Sequence, residues 1–234
     1  MVIAGRNDTC RWLKVTLAGG QQGWVAQEYV DASVPTCDPP LVAAPPTPTV
    51  APTPTRPPSA LASNVSQFSG SQGANGWRYQ IEQGRNSGSF VDFPNFGAYQ
   101  SGDGKPARNC WLTPQEGHVR ICQNGEVHPG ATGRIALRWQ SDIARTARIQ
   151  VHAHKVDTTC GNNDGVWIGV FRVPSGQPPE KIGEFSIAGA NSQDRPANTY
   201  NWTVNLNNGD SIMVMVDVAR SPACDMTRLY VDIN

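Results

Sequence analysis

The indole and phenol side chains of Trp77, Tyr79, Trp111, Trp139, Trp167, Tyr200 and Trp202 give the C-terminal part of this chain its clearest capacity for recognition chemistry. A flat aromatic face packs against the C–H groups of a sugar ring, while neighbouring amides and charged groups meet the hydroxyls. Trp111 stands in a polar, turn-rich segment that begins at Asn109 and ends at Pro114, so it is the leading platform candidate, with Asn109 at its edge. Trp77 and Tyr79 follow, just after the turn sequence Asn75-Gly76. Trp139 and Trp167 fall inside regularly alternating segments and are expected to fill a core.

Two further groupings suit metal ions. Asn162, Asn163 and Asp164 precede one strand and Asp225 opens the last, so their oxygens could converge on calcium, which takes several oxygen ligands. Calcium is therefore the cofactor the sequence favours, although Asn-Asp-Gly is also a turn sequence and the spacing is not that of an EF-hand. His152 and His154 alternate within one strand and project to one face, a spacing two ligands of zinc could use; no third ligand can be named from the sequence.

Signatures of catalysis are absent. The sequence holds no Gly-x-Ser-x-Gly elbow, no His-Glu-x-x-His and no phosphate-cradling Gly-rich loop. Glu116, Glu126, Asp157, Asp164 and Asp217 are the carboxylates that acid and base work on a glycosidic bond would have to recruit. The expectation is a chain that is not an enzyme.

Charge and cysteine usage set the surroundings. Lys plus Arg number 19 and Asp plus Glu number 19, so no basic field draws nucleic acid or anionic lipid, and a neutral partner is favoured. No stretch approaches the roughly 18 apolar residues that insertion in a membrane requires. Six cysteines without a CxxC pair point to disulfides rather than zinc, and hence to an extracellular or cell-surface location. The opening Met1-Val2-Ile3-Ala4-Gly5 is no secretion signal, so an upstream segment is expected.

The elements that must position these residues are short strands. Alternating apolar and polar residues mark 134–139, 147–154, 165–173, 180–187, 200–206, 211–217 and 226–233, each bounded by Gly, Pro, Asn or Asp. Seven strands without intervening helices predict an all-β fold of two packed antiparallel sheets over residues 64–234. Asn207-Asn208-Gly209-Asp210 predicts a hairpin joining the fifth and sixth of them. Between Pro39 and Pro58 nine of twenty residues are Pro, several alternating with Thr; this linker, assigned to 39–63, can join neither helix nor sheet and spans roughly 60 Å at about 3 Å per residue. In residues 1–38, Trp12 to Leu17, a Gly-Gly turn and Gly23-Trp24-Val25-Ala26 predict another hairpin.

That hairpin, with Gly-Trp-Val and a following Tyr29, resembles the second half of a bacterial Src-homology-3-type domain over about Val2 to Ala32. The resemblance implies a partial small β-barrel of a kind that often holds proteins to cell-wall peptidoglycan. Cys10 and Cys37 flank it and could staple it. Phe68 to Tyr79, His128-Pro129-Gly130, Arg138-Trp139, Asn163-Asp164-Gly165-Val166 and Gly209-Asp210 resemble the landmarks of a jelly-roll module of bacterial extracellular proteins, regarded as carbohydrate-binding-like. The resemblance makes neighbours of the segments after Cys160 and Cys224 and so implies that these two are bonded, which leaves Cys110 and Cys122 to pair and to restrain the loop carrying Trp111.

The reading that results is a non-catalytic extracellular module for a neutral polysaccharide or cell-wall glycan. Its rivals are a structural or adhesive envelope protein with no glycan ligand, and a glycoside hydrolase or lyase.

Overall fold

Every second residue from Ala147 to Ala153 is apolar, and Ala147, Ile149, Val151 and Ala153 are all fully buried while the residues between them face outward. This phase repeats from strand to strand, and burying each large aliphatic side chain contributes about 1.5–3 kcal/mol. In the computed structural model the described residues are 2–6, 12–16, 19–26, 61–100, 106–114, 116–156, 164–188 and 192–234. The chain divides into two units, Met1–Pro58 and Ser59–Asn234.

The first unit contains β1 (Val2–Arg6), β2 (Trp12–Thr16) and β3 (Gln22–Ala26), antiparallel in that order. β2 and β3 are the expected hairpin. Its turn uses Gly19 and Gly20 at φ 108° and 83°, a region open to glycine and strained for other residues. Cys10, Cys37 and the Pro/Thr linker lie outside the described residues.

The second unit is a β-sandwich of antiparallel sheets. Its strands are β4 (Ala62–Ser63), β5 (Trp77–Glu82), β6 (Phe90–Asp92), β7 (Asn95–Tyr99), β8 (Arg108–Leu112), β9 (Arg120–Cys122), β10 (Glu126–His128), β11 (Ile135–Gln140), β12 (Arg145–Lys155), β13 (Val166–Val173), β14 (Glu180–Ile187), β15 (Thr199–Leu206), β16 (Ser211–Val218) and β17 (Thr227–Ile233). One sheet runs β15-β12-β17-β10-β9-β8-β7, with β4 also paired to β17; the other runs β14-β13-β16-β11-β5-β6. Residues of both contribute to one core, in which Trp77, Tyr79, Ile135 and Leu137 of the second sheet meet Trp111, Ile121, Ile149 and Val231 of the first.

Two boundaries differ from expectation. The folded unit begins ahead of Asn64, because Ala62 and Ser63 pair with Ile233 and Asp232, and the Asn64 side chain donates to Leu229 O at 3.0 Å and accepts from Val231 N at 2.7 Å. A buried amide satisfied on both sides fixes the start of the chain there. β15 and β16 do not form a hairpin: β15 pairs with β12 and β16 with β11 and β13, so Asn207 to Asp210 carries the chain from one sheet to the other. The turn itself forms, with Asp210 N donating to Asn207 O, but the buried Asp210 carboxylate accepts from Ser175 N and the Arg172 guanidinium, which ties it to β13.

His128, at the end of β10, is buried, and burial pushes its imidazole down to about 4. In the unfolded chain it takes a proton near 6.5. The unfolded state therefore binds more protons between these values, so stability from this residue is complete above pH 6.5 and is lost as pH falls through about 4. The gap corresponds to roughly 2–4 kcal/mol. Denaturant melts of the parent and of His128→Gln are expected to converge as pH falls from 7 to 4; a difference independent of pH would show that His128 binds its proton equally well in the folded and unfolded chain.

Candidate functional site

Of the residues singled out in the sequence, the three leading aromatics are not at a surface. Trp111 is 5% exposed, Trp77 1% and Tyr79 0%. Trp111 Nε1 donates to Ser69 O at 3.0 Å, and its ring stacks on Tyr79 and tilts against Phe96. Trp77 Nε1 donates to Gln67 Oε1 at 3.2 Å. Both indoles thus satisfy their one polar atom inside the sandwich and present no face to water. Rather than a turn, the setting of Trp111 is strand β8, where it pairs with Ile121 of β9, and the Cys110–Cys122 disulfide joins these adjacent strands. Asn109 alone of that group is exposed. Cys224 is disulfide-bonded as well; Cys160, its expected partner, lies outside the described residues.

Trp167 corrects the opposite way. In β13 the core side is taken by Val166, Ile168 and Val170, all at 0% exposure, so Trp167 projects from the outer face of the six-stranded sheet. Gly169 lies between Trp167 and Phe171 on that face. A Cβ there would stand 2.3 Å from Trp167 and 2.7 Å from Phe171, so glycine is what lets the two rings close over the strand. Beneath them Met213, Met215 and Ala136 form a small apolar floor. Trp167 Nε1 donates to Glu184 Oε2 at 3.0 Å, which fixes the plane of the indole. Lys181 and this indole N–H, in that order, hold the exposed Glu184 carboxylate below its ordinary range.

Cross-strand register continues the face into polar groups. Phe171 pairs with Met213, Met213 with Arg138 and Arg138 with Arg78, so the Phe171 and Arg138 positions are two strand spacings, about 10 Å, apart. Arg78, Gln80, Arg138, Gln140, Ser211 and Gly76 line a pocket of about 280 Å³. Arg78 pairs with Asp92, to which Gln80 Nε2 also donates at 3.0 Å. Burial, then the adjacent Arg78 charge, lowers the pKa of Arg138. Gln80 Oε1 and Ser211 Oγ are both buried and have no hydrogen-bond partner. Buried polar atoms are almost always paired in folded proteins, so two orphans lining one pocket mark a place where a hydroxyl-bearing molecule or water completes the network.

A larger cleft of about 410 Å³ is lined by Glu82, Asp92, Thr113, Glu116 and Thr132 among others. Its carboxylates are committed. Burial acts to raise the Glu82 pKa, but Arg134 and the N–H groups of Gly88 and Asn86 outweigh it and bring the group below its usual value. Burial is likewise outweighed at Glu116 by Thr132 and the Ala131 N–H. Neither is held protonated, as a general acid must be. Of the other carboxylates, Glu126 is buried against Arg108 and Asn124, and Asp217 pairs with Arg85. Asp157 lies outside the described residues.

The calcium candidates fall at one end of the sandwich. Asp225 is 0% exposed and neither of its carboxylate oxygens has a hydrogen-bond donor; Asp164 Oδ1 lacks one too, while its Oδ2 accepts from Ser221 N at 3.1 Å. Lys155 Nζ stands 3.9 Å from Asp225 Oδ1. Burial pushes Asp225 up to about 7 against the pull of Lys155, and the Asp164 charge adds to the rise. Asp225 and Asp164 thus keep three carboxylate oxygens without a hydrogen-bond donor, and oxygen of that kind is what a hard cation would take. Asn162 lies outside the described residues.

No protein-family model and no curated protein matches the chain. Among solved structures, a family 35 carbohydrate binding module from Clostridium thermocellum is similar at 15% identity, covering 47% of this chain and 91% of its own, with a TM-score of 0.26. A native structure of a family 35 module from the same organism is similar at 11% identity over 66% of this chain and 90% of its own, TM-score 0.26. An exo-beta-1,3-galactanase from Phanerochaete chrysosporium with galactose is similar at 11% identity over 62% of this chain and 31% of its own, TM-score 0.26. No helix among the described residues is long and apolar enough to cross a membrane.

Proposed function

We propose that the sandwich is a non-catalytic carbohydrate-binding module whose ligand, a neutral polysaccharide or cell-surface glycan, lies on the outer face of the six-stranded sheet. The observation that carries this is the continuity, on one face, of the Trp167–Phe171 aromatic platform with a polar pocket that holds two unpartnered buried acceptors. A pyranose ring stacks on the indole, and the next residue of the chain reaches Arg138, Gln80 and Ser211. Balanced charge favours a neutral ligand, and the non-catalytic reading is supported by Glu82, Glu116, Glu126 and Asp217, each of which stands in an ion pair or accepts a backbone hydrogen bond. Calcium at Asp164 and Asp225 would brace the end of the sandwich. The cysteines suit an extracellular or cell-surface setting. The Src-homology-3-like N-terminal strands and the Pro/Thr linker would hold the module away from the surface to which the chain is attached.

Pull-down of the full chain on a panel of insoluble polysaccharides, followed by calorimetry on the best ligand, tests this. Trp167→Ala and Arg138→Ala are each expected to weaken binding at least tenfold, about 1.4 kcal/mol, with an unchanged melting temperature. Trp111→Ala is expected instead to destabilise the fold by about 3–5 kcal/mol. A chain that binds no polysaccharide would favour the structural or adhesive role, and release of reducing sugar would establish a hydrolase or lyase.

A further inference from the structure

Strand β12 sends His152 and His154 to the outer side of the eight-stranded sheet, opposite the core positions Val151 and Ala153. Their ring centres are 5.6 Å apart, and Tyr230 of β17 packs beside both at 6.0 and 6.2 Å. Asp194, from the segment between β14 and β15, reaches over the pair: its Oδ1 is 2.9 Å from His152 Nε2 and 3.8 Å from His154 Nδ1. The second distance is too long for a hydrogen bond, and His154 Nδ1 is shielded from solvent with no hydrogen-bond partner. A buried ring nitrogen facing a carboxylate oxygen across that gap lacks a partner between them.

We propose that His152, His154 and Asp194 form a site for a divalent transition metal of the zinc class, with three protein ligands and a fourth position open to solvent. Zinc holds imidazole nitrogen and carboxylate oxygen at about 2.0–2.2 Å in a tetrahedron, which places neighbouring ligand atoms about 3.4 Å apart. The separations of 2.9 and 3.8 Å bracket that figure, and all three donor atoms lie within 4.8 Å of one another. Two imidazoles with one carboxylate select zinc-like ions over calcium and magnesium, which take oxygen. The far nitrogen of His152, Nδ1, is 2.9 Å from Thr199 Oγ1, the kind of outer contact that sets ring orientation and tautomer at metal sites. The Asp194 side chain is 67% exposed, which leaves room for a water as fourth ligand. Once bound, the ion ties the segment carrying Asp194 to β12.

The test is a calorimetric titration of the chelator-treated full chain with zinc chloride in excess calcium, which removes any contribution from Asp164 and Asp225. The expected result is one equivalent of zinc, bound at least tenfold more weakly by His152→Ala, His154→Ala and Asp194→Asn, about tenfold more weakly by Thr199→Val, and unchanged in His118→Ala. His152, His154 and Thr199 project from the outer face of the sheet and Asp194 is exposed, so melting temperatures without metal should match the parent in these variants. The proposal is overturned if no one-to-one binding is seen, or if the double variant His152→Ala/His154→Ala keeps the parent's affinity.

Discussion

Glu82→Ala is expected to lower the unfolding free energy of the sandwich by about 3–5 kcal/mol, the range for removing one partner of a buried ion pair. The Glu82 side chain is fully buried and Arg134 is partly buried, and Arg134 Nε donates to Glu82 Oε2 at 2.7 Å in a two-pronged contact. The same carboxylate accepts from Gly88 N at 2.8 Å and Asn86 N at 3.2 Å, closing the turn between β5 and β6. Alanine strands a guanidinium and two amide hydrogens together, and each must find water in a crowded corner. Glu82→Gln keeps the shape and one acceptor, so its loss should be smaller. The measurement is a urea midpoint with disulfides intact; a loss below about 1 kcal/mol would mean that Arg134 relaxes to solvent without cost.

At the other end of the sandwich, Asp225→Asn is expected to stabilise the chain at pH 8 in chelator by an amount of order 3–4 kcal/mol. The unfolded chain releases this proton near 3.9, whereas the fold keeps it to about 7. The folded state holds the extra proton between those values, so the contribution is fully present below about pH 4 and is lost as pH rises through 7. Above pH 7 the fold carries a buried carboxylate charge that asparagine lacks. Calcium should offset the deficit in the parent, raising its melting temperature at pH 8, and leave Asp225→Asn unmoved. Equal responses of parent and variant to calcium would place the ion elsewhere, and no response in either would leave Lys155 as the sole counter-charge. The pH trend from Asp225 opposes that from His128 between pH 4 and 6.5, so differences between parent and each variant, rather than the parent's own profile, carry the test.

The sequence by itself determined the all-β class and seven strands of the second half, β11 to β17, because each carries six to eleven residues of strand-forming pattern bounded by turn residues. It also located the glycine turn between β2 and β3. Strands β4 to β10 were not legible: they hold two to six residues, several are polar, and their pairing comes from long-range partners, such as Val127 with Ile121 and Ala62 with Ile233. The destination of the Asn207–Asp210 turn was not legible either, since a turn sequence specifies a reversal but not which sheet receives the next strand. For the site, sequence supplied the residue types and tertiary structure decided their sides. Trp111 looked like a loop platform because its neighbours are polar, yet packing against Tyr79 and Phe96 takes it inside. Trp167 looked like core because both phases of β13 are apolar, and only the opposing sheet shows which phase is covered. The signal that would have found it is Gly169 between two aromatics, a spacing that lets both rings lie over one strand. Asp194 was beyond reach altogether, since it meets His152 across 42 residues of chain and only the fold closes that distance.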